Sequence, residues 1–134
     1  KIIEAKWGSS ADSLTESGTL ADALSEAQGS NTDIYIQLQS DAELSRPYSF
    51  EKGTDVMITL DLNGYDITAT LDGYTRLFGI GYVGSGGSTY GNLTLTNTSS
   101  GDKGSITVNT GTVYMCDGST CHIGLSSLSI IHTS

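Results

Sequence analysis

Three aspartates in the middle of the chain, Asp61, Asp66 and Asp72, could supply acid–base chemistry. Enzymes that cleave polysaccharides need two or three carboxylates close together, as proton donor and base or as calcium ligands. The same residue type also ends strands and satisfies backbone groups at turns. We favour the turn role and predict no catalytic residue. A catalytic set made of these three aspartates is the alternative.

Four tyrosines are the candidate ligand-binding residues, because they flank turns or a glycine-rich loop: Tyr65, Tyr74, Tyr82 and Tyr90. An exposed phenol ring can stack on a sugar or anchor a protein partner. The alternative is a half-buried place in a strand, where aromatic residues are frequent. The ligand that these tyrosines suggest is a sugar or a protein partner.

The two cysteines enclose a short segment, Cys116-Asp-Gly-Ser-Thr-Cys121. Its Asp-Gly pair favours a tight turn that brings the sulfurs together, which predicts a local disulfide and an oxidising compartment. Two buried, reduced thiols are the alternative. With His122 the cysteines offer three ligands, but the spacing matches no familiar zinc pattern. We therefore predict no metal site, and no cofactor motif is present.

Length and charge limit the class of protein further. The 134 residues suit a single domain with a modest core. The net charge is −9 and the six basic residues are scattered, so we predict no nucleic-acid partner. No run of 18 apolar residues exists, which predicts no membrane insertion. Because the chain starts at Lys1 and stops in strand-like sequence, we expect a fragment of a longer protein.

One helix is predicted near the N-terminus, after an irregular segment over residues 1–17. Thr19 caps it, with Asp22 as the acidic residue of a capping box, and Gly29 ends it. Its apolar stripe has helical spacing and consists of Leu20, Ala23, Leu24 and Ala27. A helix of this length is unstable alone. We expect it to cover the first strands, near Ile34 and Ile36.

The rest of the chain consists of short strand-like segments. In the clearest one, Ile58, Leu60 and Leu62 alternate with polar residues, and Asn63-Gly64 then predicts a turn. Weaker copies cover residues 33–38, 92–97, 105–109 and 127–131, whereas residues 84–89 read as a glycine-rich loop. Strands repeated without helices predict stacked coils. Asn63, Asn97 and Asn109 each follow a strand, and a ladder of stacked amides is predicted there.

The order of these features resembles a known family. Helix 19–27, strand 34–38 and the Asp61-Leu-Asn-Gly64 segment are similar to the N-terminal end of a right-handed parallel β-helix repeat region in bacterial cell-surface proteins. The likeness covers roughly residues 18–109. It implies a mostly β fold, a right-handed parallel β-helix (solenoid) with one short N-terminal capping helix. Residues 1–134 would then form one domain, with residues 1–31 as the cap and residues 32–134 as the coils.

Three functions are predicted from the residues and this resemblance taken together. The first is a non-enzymatic module of a secreted or cell-surface bacterial protein, a stalk or adhesin segment that binds a host glycan or protein. The alternative is a fragment of a carbohydrate-active β-helix enzyme, a polysaccharide lyase or glycosidase. The third is a structural module that associates with itself end to end, through an uncapped last coil.

Overall fold

A computed structural model describes residues 2–51, 55–84, 87–101, 103–109, 111–116, 121–125 and 129–132, with the backbone alone at 83–84, 87–89, 121–123, 125 and 129–132. Over these residues the chain contains one helix, α1 (Leu20–Gly29), and fifteen strands. The strands are β1 (Ala5–Gly8), β2 (Glu16–Gly18), β3 (Ile34–Leu38), β4 (Ala42–Leu44), β5 (Tyr48–Phe50), β6 (Ile58–Asp61), β7 (Asp66–Ala69), β8 (Arg76–Ile80), β9 (Tyr82–Gly84), β10 (Gly87–Thr89), β11 (Gly91–Thr96), β12 (Ser105–Val108), β13 (Thr112–Cys116), β14 (Cys121–Leu125) and β15 (Ser129–His132).

These strands form four separate sheets. The largest has six strands in the order β14-β11-β6-β3-β1-β2, and the second has four in the order β15-β12-β7-β4. A third sheet has the order β13-β8-β5, and the fourth is the pair β10-β9. The four-stranded and three-stranded sheets are parallel throughout.

The prediction of a right-handed parallel β-helix is wrong. The fold is mostly β with one helix, as predicted, but its sheets are small and separate, and two of them are not parallel. Strand β1 runs antiparallel to both β2 and β3, which makes the largest sheet mixed. Strands β9 and β10 form an antiparallel hairpin where the sequence suggested a loop. Alternating apolar residues predict that a strand exists, but neither its partner nor its direction.

The register of the parallel pairs places apolar side chains above one another. Ile36 of β3 pairs with Leu60 of β6, which pairs with Leu95 of β11, and all three are fully buried. Ile67 of β7 pairs in the same way with Ile106 of β12. Burying one such side chain stabilises a fold by roughly 1.5–3 kcal/mol. The register is therefore fixed by the core, because a slip of one residue would turn these side chains to the other face.

Helix α1 and its cap are confirmed. The Thr19 Oγ1 accepts a hydrogen bond from the Asp22 N–H at 3.1 Å, and Glu4 adds a second cap by accepting from the Leu20 N–H at 3.0 Å. The predicted stripe is fully buried, at Leu20, Ala23, Leu24 and Ala27. Two acceptors thus satisfy the first N–H groups of helix α1. One is the adjacent Thr19, and the other is Glu4, 16 positions before Leu20.

Helix α1 has its largest contact with β5 and also touches β1, β2, β3 and β4. The Gln28 Oε1 accepts a hydrogen bond from the Ser49 N–H of β5 at 2.7 Å. Next to it, the Arg46 guanidinium donates to Ser25 at 2.6 Å and lies 4.5 Å from the centre of the Tyr48 ring. The expected place near Ile34 and Ile36 was therefore only partly right. The helix touches their strand, β3, but its last turns are tied to β5.

Side chains of asparagine join the turns that follow neighbouring strands. The Asn63 amide donates to the Leu38 carbonyl at 3.0 Å, and Asn97 accepts from the Gly64 N–H at 2.5 Å. Asn63 and Gly64 both have positive φ, as a tight turn with Asn-Gly requires. Backbone groups of the preceding turn are thus the partners here, where the sequence predicted amides stacked on one another.

Candidate functional site

Asp61 lies at the end of β6 and is fully buried. Its Oδ2 accepts three hydrogen bonds, from the Tyr35 hydroxyl at 2.9 Å, the Gln37 amide at 3.1 Å and the Thr98 hydroxyl at 2.6 Å. Its Oδ1 accepts from the backbone N–H groups of Asn63 and Thr98, both at 3.0 Å. These five donors come from three separate parts of the chain and surround the carboxylate.

This environment fixes the charge of Asp61. Burial alone raises the pKa of the carboxyl, but the hydrogen bonds from Thr98, Gln37 and Tyr35 outweigh it and hold the pKa below its ordinary value. Burial and the bond to Asp61 raise the pKa of the Tyr35 phenol. An acid–base catalyst must reach its substrate and exchange a proton with it. Asp61 is enclosed and stays ionised, so its surroundings are those of a structural carboxylate.

Asp66 and Asp72 do not join Asp61. Asp66 is exposed at the start of β7 and accepts a hydrogen bond from the Ser105 hydroxyl at 2.9 Å. Asp72 is exposed in the bend before β8. No described contact links any two of the three aspartates. Within the described part of the chain, no group of three His, Cys, Asp or Glu residues is arranged to hold a metal ion.

The four candidate tyrosines are exposed but dispersed. Tyr65 precedes β7, Tyr74 precedes β8, Tyr82 begins β9, and Tyr90 directly precedes β11. No described contact joins one of them to another. Tyr82 lines a depression formed by described residues, and this makes its surroundings the candidate site.

The floor of this depression is the outer face of the β5-β8-β13 sheet. Ser49 of β5, Gly79 of β8 and Met115 of β13 pair side by side in the register. The missing side chain at Gly79 leaves a gap, and the Arg76 guanidinium fills it. A Cβ built on Gly79 would lie 2.6 Å from Nε and 2.8 Å from Nη2 of Arg76. The Arg76 Nη2 also donates to the Ser49 Oγ at 3.0 Å, which fixes the guanidinium over the sheet.

The depression encloses about 180 Å³ and is lined by Ser49, Glu51, Arg76, Gly79, Ile80, Gly81, Tyr82 and Met115. Tyr82 and Met115 are each nearly half exposed, so an aromatic ring and a thioether are available at its rim. Among the described residues, no carboxylate pairs with the Arg76 guanidinium. The site therefore combines a fixed cation, an aromatic face and the Glu51 carboxylate within a small volume.

Tyr82 is among the residues that the sequence predicts for ligand binding, whereas Arg76 is not. The only available signal was the combination of a basic residue and a glycine in Arg76-Leu-Phe-Gly79, in a chain with six basic residues. That signal is weak, because only the folded strand shows that the Arg76 side chain lies over Gly79.

A second, larger depression of about 420 Å³ lies between helix α1 and β1. Trp7, Glu16, Glu26 and Asp33 contribute to its wall. The Trp7 indole donates to the Glu26 carboxylate at 3.1 Å, and the ring is only 5% exposed. The Trp7 ring is buried and its N–H is already bonded to Glu26. This depression therefore offers a ligand mostly carboxylates and hydroxyls.

Cys116 is disulfide-bonded in the structure, at the end of β13. The side chain of Cys121 lies outside the described residues, so the Cys116–Cys121 pairing stays a prediction.

Comparison with protein-family models, with curated proteins and with solved structures gave no match. The resemblance to bacterial cell-surface proteins therefore stays a prediction, as does the assignment of residues 1–134 to one domain of a longer protein. In the part of the chain that the structure describes, no helix has the length and apolar character needed to span a membrane.

Proposed function

We propose that this protein is a non-enzymatic binding module of the bacterial cell surface, which recognises a host glycan through the depression beside Tyr82. The observation that carries this proposal is the joint presence of an exposed tyrosine, a fixed arginine and a small depression on one sheet face. Aromatic faces and a few convergent polar groups are what small-ligand sites require.

The state of Asp61 supports a role without catalysis. Its carboxylate accepts five hydrogen bonds and is not exposed, and Asp66 and Asp72 lie apart from it. A glycosidase or lyase needs carboxylates that meet at the substrate. The alternative of a carbohydrate-active enzyme gains no support from this arrangement.

The bonded state of Cys116 supports a place outside the cytoplasm, because disulfides persist in oxidising compartments. A secreted or cell-surface location agrees with the low content of basic residues and the net charge of −9, which favour solubility over nucleic-acid binding.

The binding proposal is tested on a glycan array with the intact chain and two tyrosine variants. Tyr82→Ala should reduce the signal of any bound glycan, whereas Tyr74→Ala should leave it unchanged. The two rings are similarly exposed, at 46% and 53%, but Tyr74 does not line the depression. Equal losses in both variants, or binding of a protein partner alone, would contradict glycan recognition at this place.

Absence of catalysis is tested separately, on a panel of neutral and acidic polysaccharides. We expect no new reducing ends and no unsaturated products. Turnover of any of these polysaccharides by the unaltered chain would replace the binding proposal by the enzyme alternative.

A further inference from the structure

We infer that Arg76 selects the ligand: the depression binds an acidic sugar, whose carboxylate pairs with the Arg76 guanidinium. This inference rests on the proposed function and names the class of glycan that the module recognises.

The position of the guanidinium is set before any ligand arrives. Ser49 accepts a hydrogen bond from its Nη2 at 3.0 Å, and the space over Gly79 receives its Nε and Nη2. An arginine held in place loses less conformational freedom on binding than a free one. Its guanidinium also presents several N–H donors in a fixed fork, and one bond to Ser49 uses only part of them. The remaining donors suit the two oxygens of a carboxylate.

The other groups of the depression favour a sugar as the carrier of that carboxylate. The Tyr82 ring offers a face for the apolar side of a pyranose, and the Glu51 carboxylate can accept hydrogen bonds from sugar hydroxyls. A volume of about 180 Å³ is below the ~300–1,000 Å³ of pockets for drug-sized ligands. One sugar unit is therefore the natural occupant.

The charge of the whole chain limits the number of acidic groups in the ligand. The net charge is −9, with six basic residues. A long polyanion would be repelled by the surface around the site. A glycan with a single acidic unit, such as a terminal uronic acid, meets less of that repulsion when it approaches Arg76.

The inference is tested by NMR titration of the isotope-labelled chain with methyl β-D-glucuronide and with its neutral counterpart, methyl β-D-glucoside. We expect the glucuronide to bind about tenfold more tightly, which corresponds to roughly 1.4 kcal/mol. Its shift changes should centre on Ser49, Gly79 and Tyr82. The preference should weaken at high salt, because exposed charges are screened.

Two arginine variants distinguish binding at the depression from a general effect of positive charge on the chain. Arg76→Gln should abolish the preference for the glucuronide. Arg46→Gln makes the same change at another arginine, which lies on the Tyr48 ring outside the depression, and should keep the preference. If Arg76→Gln retains it, the inference is overturned while glycan binding stands. If neither sugar binds the unaltered chain, the proposed glycan function fails as well.

Gly79→Ala tests the position of the guanidinium without removing its charge. The added methyl group would meet Arg76 at 2.6 Å, and the end of this flexible side chain can move away. The melting temperature should therefore stay close to that of the unaltered chain, while the affinity for the glucuronide falls about tenfold. Unchanged affinity in this folded variant would show that the gap over Gly79 does not position Arg76 for the ligand.

Discussion

Thr98 donates to Asp61 twice, through its hydroxyl at 2.6 Å and its backbone N–H at 3.0 Å, although the two residues are 37 positions apart. Asp61 ends β6, and Thr98 follows β11, the parallel neighbour of β6. The Asp61 carboxylate therefore links the ends of two neighbouring strands, β6 and β11. Tyr35 and Gln37 extend the same contact to β3 on the other side.

Asp61→Asn should lower the free energy of unfolding by about 2–4 kcal/mol, because charged hydrogen bonds are lost and the new amide group faces donors. This exceeds the loss of about 1 kcal/mol that one local turn bond would give. Urea denaturation measures it. Asp66→Asn is the matched control: Asp66 is exposed, and its side chain accepts a single described hydrogen bond. Equal losses in both variants would show that the Asp61 contacts add little.

The stability of the folded chain should fall at acid pH because of Asp61. The pKa of Asp61 is lower in the folded than in the unfolded chain. The folded chain therefore binds fewer protons below about pH 5, and its stability declines as the pH falls through that range. Melting temperatures between pH 7 and pH 2 should show this decline, and Asp61→Asn should flatten it. An equal decline in Asp61→Asn would assign the acid sensitivity to other carboxylates.

Tyr35 should make the stability of the folded chain depend on pH in the opposite direction, so that stability falls as the pH rises into the alkaline range. Its pKa is raised by burial and by the bond to Asp61, so the folded chain holds the phenol proton more tightly than the unfolded chain. The stability that this difference gives is complete below about pH 10 and is lost as the pH rises further. Tyr35→Phe should be less sensitive to pH between 9 and 11 in urea denaturation. Tyr65→Phe, at an exposed tyrosine, is the control and should keep the dependence.

Leu24→Ala should lower the free energy of unfolding by about 2–4 kcal/mol, since Leu24 is fully buried on the apolar face of helix α1. Thermal unfolding followed by circular dichroism measures it. Ser25→Ala changes the next, exposed position and removes only the bond from Arg46. It should cost less than about 0.5 kcal/mol. A loss this small at Leu24 would mean that helix α1 is not docked on the strands.

Gly104→Ala should destabilise the turn before β12 by about 1–3 kcal/mol. Gly104 has a φ of +78°, and a Cβ there would lie 2.5 Å from the Tyr65 carbonyl oxygen. Both the positive φ of Gly104 and the nearby Tyr65 carbonyl oxygen disfavour a side chain at this position. Gly101→Ala is the matched control, because its nearest neighbour is the Ser99 hydroxyl at 3.8 Å. Chemical denaturation of the two variants should separate them, and equal stability would contradict the strain at Gly104.

Helix α1 could be predicted because its signals are local: Thr19, the apolar stripe and the acidic first turn all lie within ten residues of one another. Several strands could be located for the same reason, but the prediction of an irregular segment over residues 1–17 is wrong, because β1 and β2 lie there. The pairing of the strands could not be predicted, because β1 and β3 are joined by contacts over more than 25 residues that no pattern records. Asp61 is the clearest case. Its type and place predicted a turn residue, and its bond to the Asn63 N–H agrees, but its four other donors come from distant parts of the chain.

The hairpin of β9 and β10 has a consequence for how this chain can vary in length. Ile34 pairs with Ile58 after 24 residues, and Ile58 pairs with Leu93 after 35, yet the ladder continues in register. The additional residues form β9 and β10, between β8 of the three-stranded sheet and β11 of the six-stranded sheet. Connections at this corner can thus lengthen without disturbing the core. The hairpin is accordingly where a homologue could acquire a new recognition loop, or where a peptide tag could be inserted, while the buried register stays the same.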